Sequence, residues 1–176
     1  MLNINITNDT FNIRNINKES ISNIYSIYKN TYDYSYATGI FNSIDYKQFS
    51  QQISQFITRQ NVFFLDIYLI SSRKVIGFVK GFLIRNKKIV WISSLAINKQ
   101  YQRNGYGVQV MNLLENFLMK HFDMEKIYIS VDKKNIVGIR FWKKCGYDEC
   151  NQLAELCSET STEIVTFMYK ECKINH

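Results

Sequence analysis

The chain has 176 residues, 46% of them hydrophobic, and carries 22 lysine and arginine residues against 15 aspartate and glutamate residues. This size predicts a single domain, residues 1–176, with a core that needs no disulfides. None of the four cysteines has the C-x-x-C spacing of a zinc or redox site, so reduced thiols are expected. No apolar run approaches the about 20 residues that span a bilayer and no signal peptide is recognisable, so we expect a cytoplasmic protein without a membrane partner.

The net charge of +7 is unevenly distributed along the chain. Residues 67–114 contain eight lysine and arginine residues and no aspartate or glutamate. A positive field of this kind attracts anionic ligands. A solvated surface, which is the ordinary role of scattered lysines, is the other interpretation of the same residues.

The first predicted element is a strand at 11–16, where apolar and polar residues alternate. Asn17 is a suitable N-cap for the helix that follows, because its side chain can accept from free backbone N–H groups. Residues 31–46 are rich in aromatic side chains without a clear period, so a loop or a short helix is expected there. Such a cluster either lines a substrate site or packs in the core. A second helix is predicted at 47–58.

The middle of the chain predicts three strands at 62–70, 74–84 and 89–97. The links between them are short, which is typical of an antiparallel meander. Apolar residues then recur at steps of three and four from Tyr106 to His121, which predicts a long amphipathic helix.

The last third predicts a strand at 126–131, a helix at 136–144, a strand at 147–150, a polar loop at 151–161 and a strand at 162–169. The whole order indicates an α+β fold with about seven strands and about four helices. The sheet is expected to be mostly antiparallel, with one parallel crossover through the long helix.

The segment Tyr101-Gln102-Arg103-Asn104-Gly105-Tyr106-Gly107 lies between a predicted strand and the predicted long helix. Backbone N–H groups at a helix start have no internal partners and carry partial positive charge, so they bind phosphate oxygens. Gly105 and Gly107 leave the backbone accessible, while Gln102 and Arg103 add a polar donor and a charge. The spacing matches neither a P-loop nor a three-glycine dinucleotide motif, and two histidines in the whole chain disfavour a Ser-His-Asp or Cys-His site.

At this point the sequence resembles the GCN5-related N-acetyltransferase (GNAT) family. The family pattern Leu-x-Val-x-Pro-x-Tyr, followed by [Gln/Arg]-x-x-Gly-x-[Gly/Ala], is similar to residues 95–107. A second family motif, an Asn, an apolar helix and then Phe-Tyr-x-Lys-x-Gly-Phe, is similar to residues 135–147. The resemblance covers nearly the whole chain. It implies a GNAT-like sheet that splays between its two parallel strands, with acetyl-CoA entering the gap and no metal.

The resemblance also implies site residues and partners. The expected cofactor-binding residues are Leu95, Ala96, Ile97, Gln102, Arg103, Asn104, Gly105, Tyr106, Gly107, Asn135, Trp142 and Lys144. The implied reaction is direct attack of an acceptor amine on the acetyl thioester, helped by positioning and a polarised carbonyl. The acceptor would be a small-molecule amine or a protein N-terminus, with no nucleic-acid partner, and the protein would be a monomer or a homodimer.

The sequence departs from the family pattern at positions that matter for catalysis. Trp142 stands where many members carry the tyrosine that protonates the leaving thiolate, and an indole N–H is far too weak an acid for that role. Lys99 replaces the family proline. Ser93 and Ser94 stand on the strand where many relatives have a glutamate. The catalytic residues therefore stay unidentified, with Trp142, Ser94 and Asp132 as weak candidates.

Three further carboxylates, Asp33, Asp45 and Asp66, are candidate bases, although surface or capping roles are more common for such residues. A water chain is an equal alternative to a side-chain base. The missing acid and base leave a non-catalytic acyl-CoA-binding module open, and the basic, aromatic composition leaves a nucleic-acid binder as a weaker alternative. The basic middle of the chain argues against a polycationic acceptor unless Asp33 and Asp45 lie together in the acceptor cleft.

Overall fold

The structure is a computed structural model, and it describes residues 1–150 and 164–172. The predicted polar loop at 151–161 and the first two residues of the predicted strand at 162–169 lie outside the described residues. Cys157 and His176 lie outside them as well.

Eight strands and five α-helices are found in the described part of the chain. The strands are β1 (Asn5–Thr7), β2 (Phe11–Asn15), β3 (Val62–Leu69), β4 (Lys74–Ile84), β5 (Ile89–Ile97), β6 (Lys126–Asp132), β7 (Asp148–Glu149) and β8 (Val165–Glu171). The helices are α1 (Lys18–Lys29), α2 (Thr31–Thr38), α3 (Tyr46–Ile57), α4 (Tyr106–Phe122) and α5 (Ile136–Lys144), with short 3-10 helices at Arg85–Lys87 and Lys99–Tyr101. The predicted α+β fold is confirmed, with one strand and one helix more than expected.

The described strands form one sheet in the order β1-β2-β3-β4-β5-β6-β8-β7. Neighbouring strands are antiparallel except β5 and β6, which are parallel and are connected through α4. This confirms the predicted meander from β3 to β5 and the predicted crossover through the long helix. The additional strand is β1 at the sheet edge, whose three residues are too few to show a recognisable alternation.

The sheet opens between β5 and β6. These two strands pair only along their first halves, and their last partners are Ile92 and Ile129. The register between β4 and β5 shifts between Lys80 and Gly81, which leaves Ser93 as an extra residue in β5. A β-bulge of this kind bends its strand and increases the local twist. The bulge lies where β5 leaves β6, so the carboxyl-terminal halves of the two parallel strands diverge.

Helices pack on both faces of the sheet. Val110 and Leu114 of α4 are fully buried against one face, which confirms the predicted apolar stripe of the long helix. On the other face, Ile24 of α1 and Phe49 of α3 pack with Phe78 of β4 in a second cluster. In the described part of the chain, no helix combines the length and the apolar character needed to cross a membrane.

The helix ends follow the expected capping chemistry. The Asn17 side chain accepts from the N–H groups of Glu19 and Ser20 at 2.9 Å, so the predicted N-cap of α1 is confirmed. The short helix α2 fills the stretch where a loop or a short helix was expected. It ends at Gly39, which has a φ of 72°, a conformation that favours glycine. Gly146, with a φ of 87°, follows α5 as predicted.

A buried ionic cluster ties α4 to α5 and β8. Glu115 on α4 is 4% exposed, and its carboxylate accepts from the Tyr147 hydroxyl at 2.9 Å and from the Lys170 ammonium at 2.6 Å. Lys170 also donates to the carbonyl oxygen of Cys145 at 2.9 Å. A buried carboxylate needs such donors, because an uncompensated buried charge is strongly destabilising.

We expect Glu115→Ala to lower the free energy of unfolding by about 3 kcal/mol, because it leaves the Lys170 ammonium without its counter-charge and the Tyr147 hydroxyl without an acceptor. Urea denaturation measures this loss. Glu149→Ala is the matched control, since it breaks the exposed pair of Glu149 with Lys143 and should cost less than about 1 kcal/mol. Equal losses of unfolding free energy in the two variants would contradict the role of Glu115 as the buried counter-charge of Lys170.

Candidate active site

A row of open backbone amides lies between the end of β5 and the start of α4. The consecutive N–H groups from Arg103 to Val108 donate to no acceptor among the described residues. The first bond at this end of α4 runs from the Gln109 N–H to the Gly105 carbonyl at 3.2 Å. The first turn of α4 contains no acidic residue. The row therefore has the geometry and the charge of an anion site at a helix N-terminus.

The two glycines of this loop are required for different structural reasons. Gly105 has a φ of 77°, a left-handed conformation that costs other residues strain. Gly107 lies against α5, where a Cβ atom would come within 2.9 Å of the Phe141 ring. Gly105 thus shapes the turn, while Gly107 allows the start of α4 to pack in contact with α5.

Side chains within the loop hold its shape. The Gln102 amide donates to the Ile97 carbonyl at 2.7 Å, and the Asn104 amide donates to the carbonyls of Tyr101 and Gln102 at 3.2 Å each. The predicted polar donor, Gln102, is therefore engaged with the end of β5. Arg103 is exposed and has a φ of 64°, and its guanidinium makes no ion pair or hydrogen bond within the described residues. The Arg103 guanidinium is therefore the positive charge that this loop offers to a ligand.

The end of β5 presents an open strand edge. Leu95, Ala96 and Ile97 lie beyond the last residue of β5 that pairs with β6. Their other side is held by β4, with Val79, Phe78 and Gly77 as partners. An edge of this kind offers backbone N–H and C=O groups to an extended ligand lying in the gap.

The second motif builds α5 beside the loop. The Asn135 side-chain oxygen accepts from the Gly138 N–H at 2.9 Å, and its NH₂ group makes no hydrogen bond within the described residues. Trp142 is 8% exposed and packs edge-on against Phe141 and Tyr147, with ring centroids 4.9 and 5.1 Å apart. Lys144 is exposed. The structure thus brings this motif next to the loop, but it places the indole of Trp142 mainly in packing.

Lys99, at the position of the family proline, attaches α2 to the end of β5. Its ammonium lies 2.7 Å from the Asp33 carboxylate, and its backbone N–H donates to the Tyr34 hydroxyl at 2.6 Å. Hydrogen bonds from Lys99 and Asn30 hold the pKa of Asp33 below its ordinary value. The Ser94 hydroxyl also donates, to the carbonyl of Ala37 in α2. A proline has no N–H, so it would lose the bond to Tyr34.

The other candidate carboxylates have structural contacts of their own. Asp45 caps α3 by accepting from the Gln48 N–H at 2.8 Å, and Asp132 accepts from the Lys134 N–H at 2.7 Å in the turn after β6. Asp66 lies on β3, with β4 and β5 between it and the gap, and is fully buried 3.5 Å from Arg14. Burial raises its pKa to about 6, against the attraction of Arg14. Asp132, at the diverging end of β6, is the candidate carboxylate on a strand that borders the gap.

The sequence analysis missed the contacts through which α2 meets β5. Tyr34 was one of many aromatic residues in an aperiodic stretch, and the carbonyl of Ala37 carries no sequence signal at all. The bulge at Ser93 had one hint in the sequence, the pair of polar residues Ser93 and Ser94 inside an otherwise apolar strand.

Comparison with known proteins gives a family match. Residues 21–147 match the family model described as "Acetyltransferase (GNAT) family". A curated relative, a probable spermine N(1)-acetyltransferase of Bacillus subtilis subsp. natto, is 31% identical over 58 residues. That alignment covers 33% of this chain and 38% of the relative's length.

Solved structures show the same fold. Spermidine N-acetyltransferase from Vibrio cholerae, in complex with CoA and spermine, has a TM-score of 0.77 at 16% identity, with 94% of this chain and 97% of that chain covered. FdhC, a nucleotide-linked sugar GNAT, has a TM-score of 0.74 at 18% identity, with 97% and 91% covered. The two neighbours differ in acceptor, so the fold alone does not select one.

We expect Tyr34→Phe to lower the free energy of unfolding by about 1 kcal/mol, because the Lys99 N–H loses its acceptor. Amide exchange should become faster in α2. Thermal or urea denaturation with hydrogen–deuterium exchange mass spectrometry measures both effects. Tyr36→Phe is the control, since Tyr36 is 44% exposed, and it should stay within about 0.5 kcal/mol of the unaltered protein. Unchanged exchange in α2 of Tyr34→Phe would contradict the proposed attachment.

Proposed function

We propose, since the chain belongs to the acetyltransferase (GNAT) family, that it is an N-acetyltransferase that moves the acetyl group of acetyl-CoA onto an amine. The family match confirms the resemblance given by the two sequence motifs. The observation that carries the activity is the row of open amides from Arg103 to Val108 at the mouth of the divided sheet. Such a row of amides fits a diphosphate, and the gap beside it fits a narrow, extended arm attached to that diphosphate.

The residues present fit coenzyme A, which would supply the activated acetyl thioester. The amides of the loop and the charge of Arg103 would bind the diphosphate. The open edge of β5 at Leu95 and Ile97 would hold the amide groups of the arm, as an added strand would. The free NH₂ group of Asn135 would donate to the same ligand, and Lys144 would reach a ribose phosphate. Among the described residues, no group of three or more metal-ligating side chains is present.

In this proposal the chain catalyses mainly by positioning. Ser94 is engaged with Ala37, and Trp142 can donate a hydrogen bond but cannot release a proton near neutral pH. The acceptor amine would therefore lose its proton to water in the gap or to Asp132, and the leaving thiolate would take one from water. Holding amine and thioester in contact supplies a large part of a rate enhancement even without an acid–base pair.

We propose a small amine of low charge as the acceptor. The curated relative is named for spermine, but Asp33 is paired with Lys99 here and Asp45 caps α3, so they do not form a shared acidic cleft. Exposed rings on and after α2, Tyr36 and Phe41 among them, offer faces to a single ammonium group.

We also propose that residues 1–176 form one acetyltransferase domain, since β1, β2 and β8 complete the sheet outside the matched residues. The proposed state is a monomer or a homodimer in the cytoplasm. Within the described residues, the thiols of Cys145, Cys150 and Cys172 form no disulfide, which agrees with a reducing compartment.

The activity test is release of free thiol from acetyl-CoA in the presence of single amines. We expect turnover with a small monoamine, and a lower kcat/KM with spermidine and spermine, because the basic surface repels a polycation. A preference for spermine would contradict the acceptor proposal while supporting the activity. Binding of acetyl-CoA without turnover on any amine would instead favour a non-catalytic acyl-CoA-binding module, the second candidate suggested by the missing acid and base.

Gly105→Glu tests the loop. It places bulk and negative charge beside the open amides, so affinity for CoA in isothermal titration should fall more than about 30-fold, that is by about 2 kcal/mol. Gly39→Glu is the matched control, because Gly39 also has a left-handed φ, of 72°, and has open space around its Cβ position. Both variants should lose about 1–2 kcal/mol of stability from the strained conformation. Equal CoA affinity in the two would overturn the loop assignment.

A further inference from the structure

A second cavity lies on the sheet face that α1 and α3 cover. It has a volume of about 190 Å³, is open to solvent on one side, and is lined by residues of α1, α3, β3 and β4 and by Arg59 after α3. Its walls include the rings of Tyr28, Phe49, Phe56 and Phe64. Three of these rings are buried and the fourth, Phe56, is half-buried in the packing of this face, so the cavity has firm aromatic walls.

Lys80 enters this cavity from β4. Its ammonium lies 5.4 Å from the centre of the Tyr28 ring and 5.7 Å from the centre of the Phe56 ring. Among the described residues it makes no ion pair, and none of the hydrogen bonds found there involves its Nζ atom. Burial lowers its pKa to about 8. The group is a cation held by ring faces and left without a counter-charge.

The other lining groups add no negative charge. Arg59 is the one further charged residue among those that line the cavity, and Gln52 and Gln55 contribute uncharged amides. A cavity with apolar walls, polar amides at its lining and a cation without a counter-ion attracts an organic anion. A second cation would be repelled by Lys80 and Arg59.

The cavity is separate from the proposed acetyl-transfer site. None of the residues proposed to hold coenzyme A lines it. Lys80 is the register partner of Ser94 across β4 and β5, but its ammonium lies over rings of α1 and α3 rather than over the gap. A ligand there would contact two helices and the strand that borders β5.

We propose that this cavity binds a small organic acid, with its carboxylate on the Lys80 ammonium and its apolar body against the rings of Tyr28 and Phe56. The carboxylate supplies the counter-charge that the chain itself does not. Gln52 and Gln55, which also line the cavity, would offer amide groups to the second carboxylate oxygen or to other polar atoms of the ligand.

The test compares benzoate with benzamide, which has nearly the same shape and no charge, by isothermal titration or ligand-observed NMR. The unaltered protein should bind benzoate at least about tenfold more tightly than benzamide, which is the size expected for a charge-assisted hydrogen bond. Absence of benzoate binding, or equal binding of the two probes, would overturn the proposal.

Two variants locate the effect. Lys80→Met keeps most of the apolar length of the side chain and removes its charge, so the preference for benzoate should fall to about twofold or less, the level of an uncharged contact. The fold should survive, because the change removes a half-buried charge that has no ion-pair partner among the described residues. Lys74→Met is the matched control, since it removes a charge from the exposed start of the same strand and should leave benzoate affinity unchanged. Undiminished benzoate binding in Lys80→Met would also overturn the proposal.

Discussion

The structure depends on the divergence of its two parallel strands. A bulge at Ser93 ends the pairing of β5 with β6, and the twist it adds turns the remaining half of β5 away. Because α4 starts at the same end of β5, the open strand edge and the open amides of the loop face one gap. If β5 and β6 paired along their whole length, the backbone N–H and C=O groups of Leu95 to Ile97 would bond to β6 and would not be open to a ligand.

The charge arrangement of the site continues beyond the loop. Residues 67–114 carry no carboxylate, and the first one after them is Glu115, two turns further along α4 than the loop. Its charge is neutralised by Lys170 and satisfied by Tyr147. The positive end of α4 is therefore not opposed by the next acidic side chain in the sequence, whose charge is paired within the packing of the sheet.

Much of the fold could be predicted because its elements have strong patterns. The meander strands are long and apolar, and α4 repeats buried residues over 17 positions. β1 could not be predicted because it has only three residues. In α2 the same residue type occupies buried and exposed positions, since Tyr34 is buried and Tyr32 is 93% exposed, so the helix shows almost no amphipathic period. In the site, glycines between a strand and a helix indicated the loop. The bonds of Ser94 with Ala37 and of Lys99 with Tyr34 join residues 57 and 65 positions apart, which no local pattern reports.

The contact of Gly107 with the ring of Phe141 has a consequence for how such a chain can vary. Gly107 and Phe141, which lie 34 positions apart in the sequence and one in each motif, share a single packing volume. A larger residue in the loop would be tolerated only together with a smaller one on α5, so the two positions should drift as a pair in any lineage that keeps this architecture. The two motifs are separate along the sequence, but in the folded protein this contact couples the residues that each of them can accept.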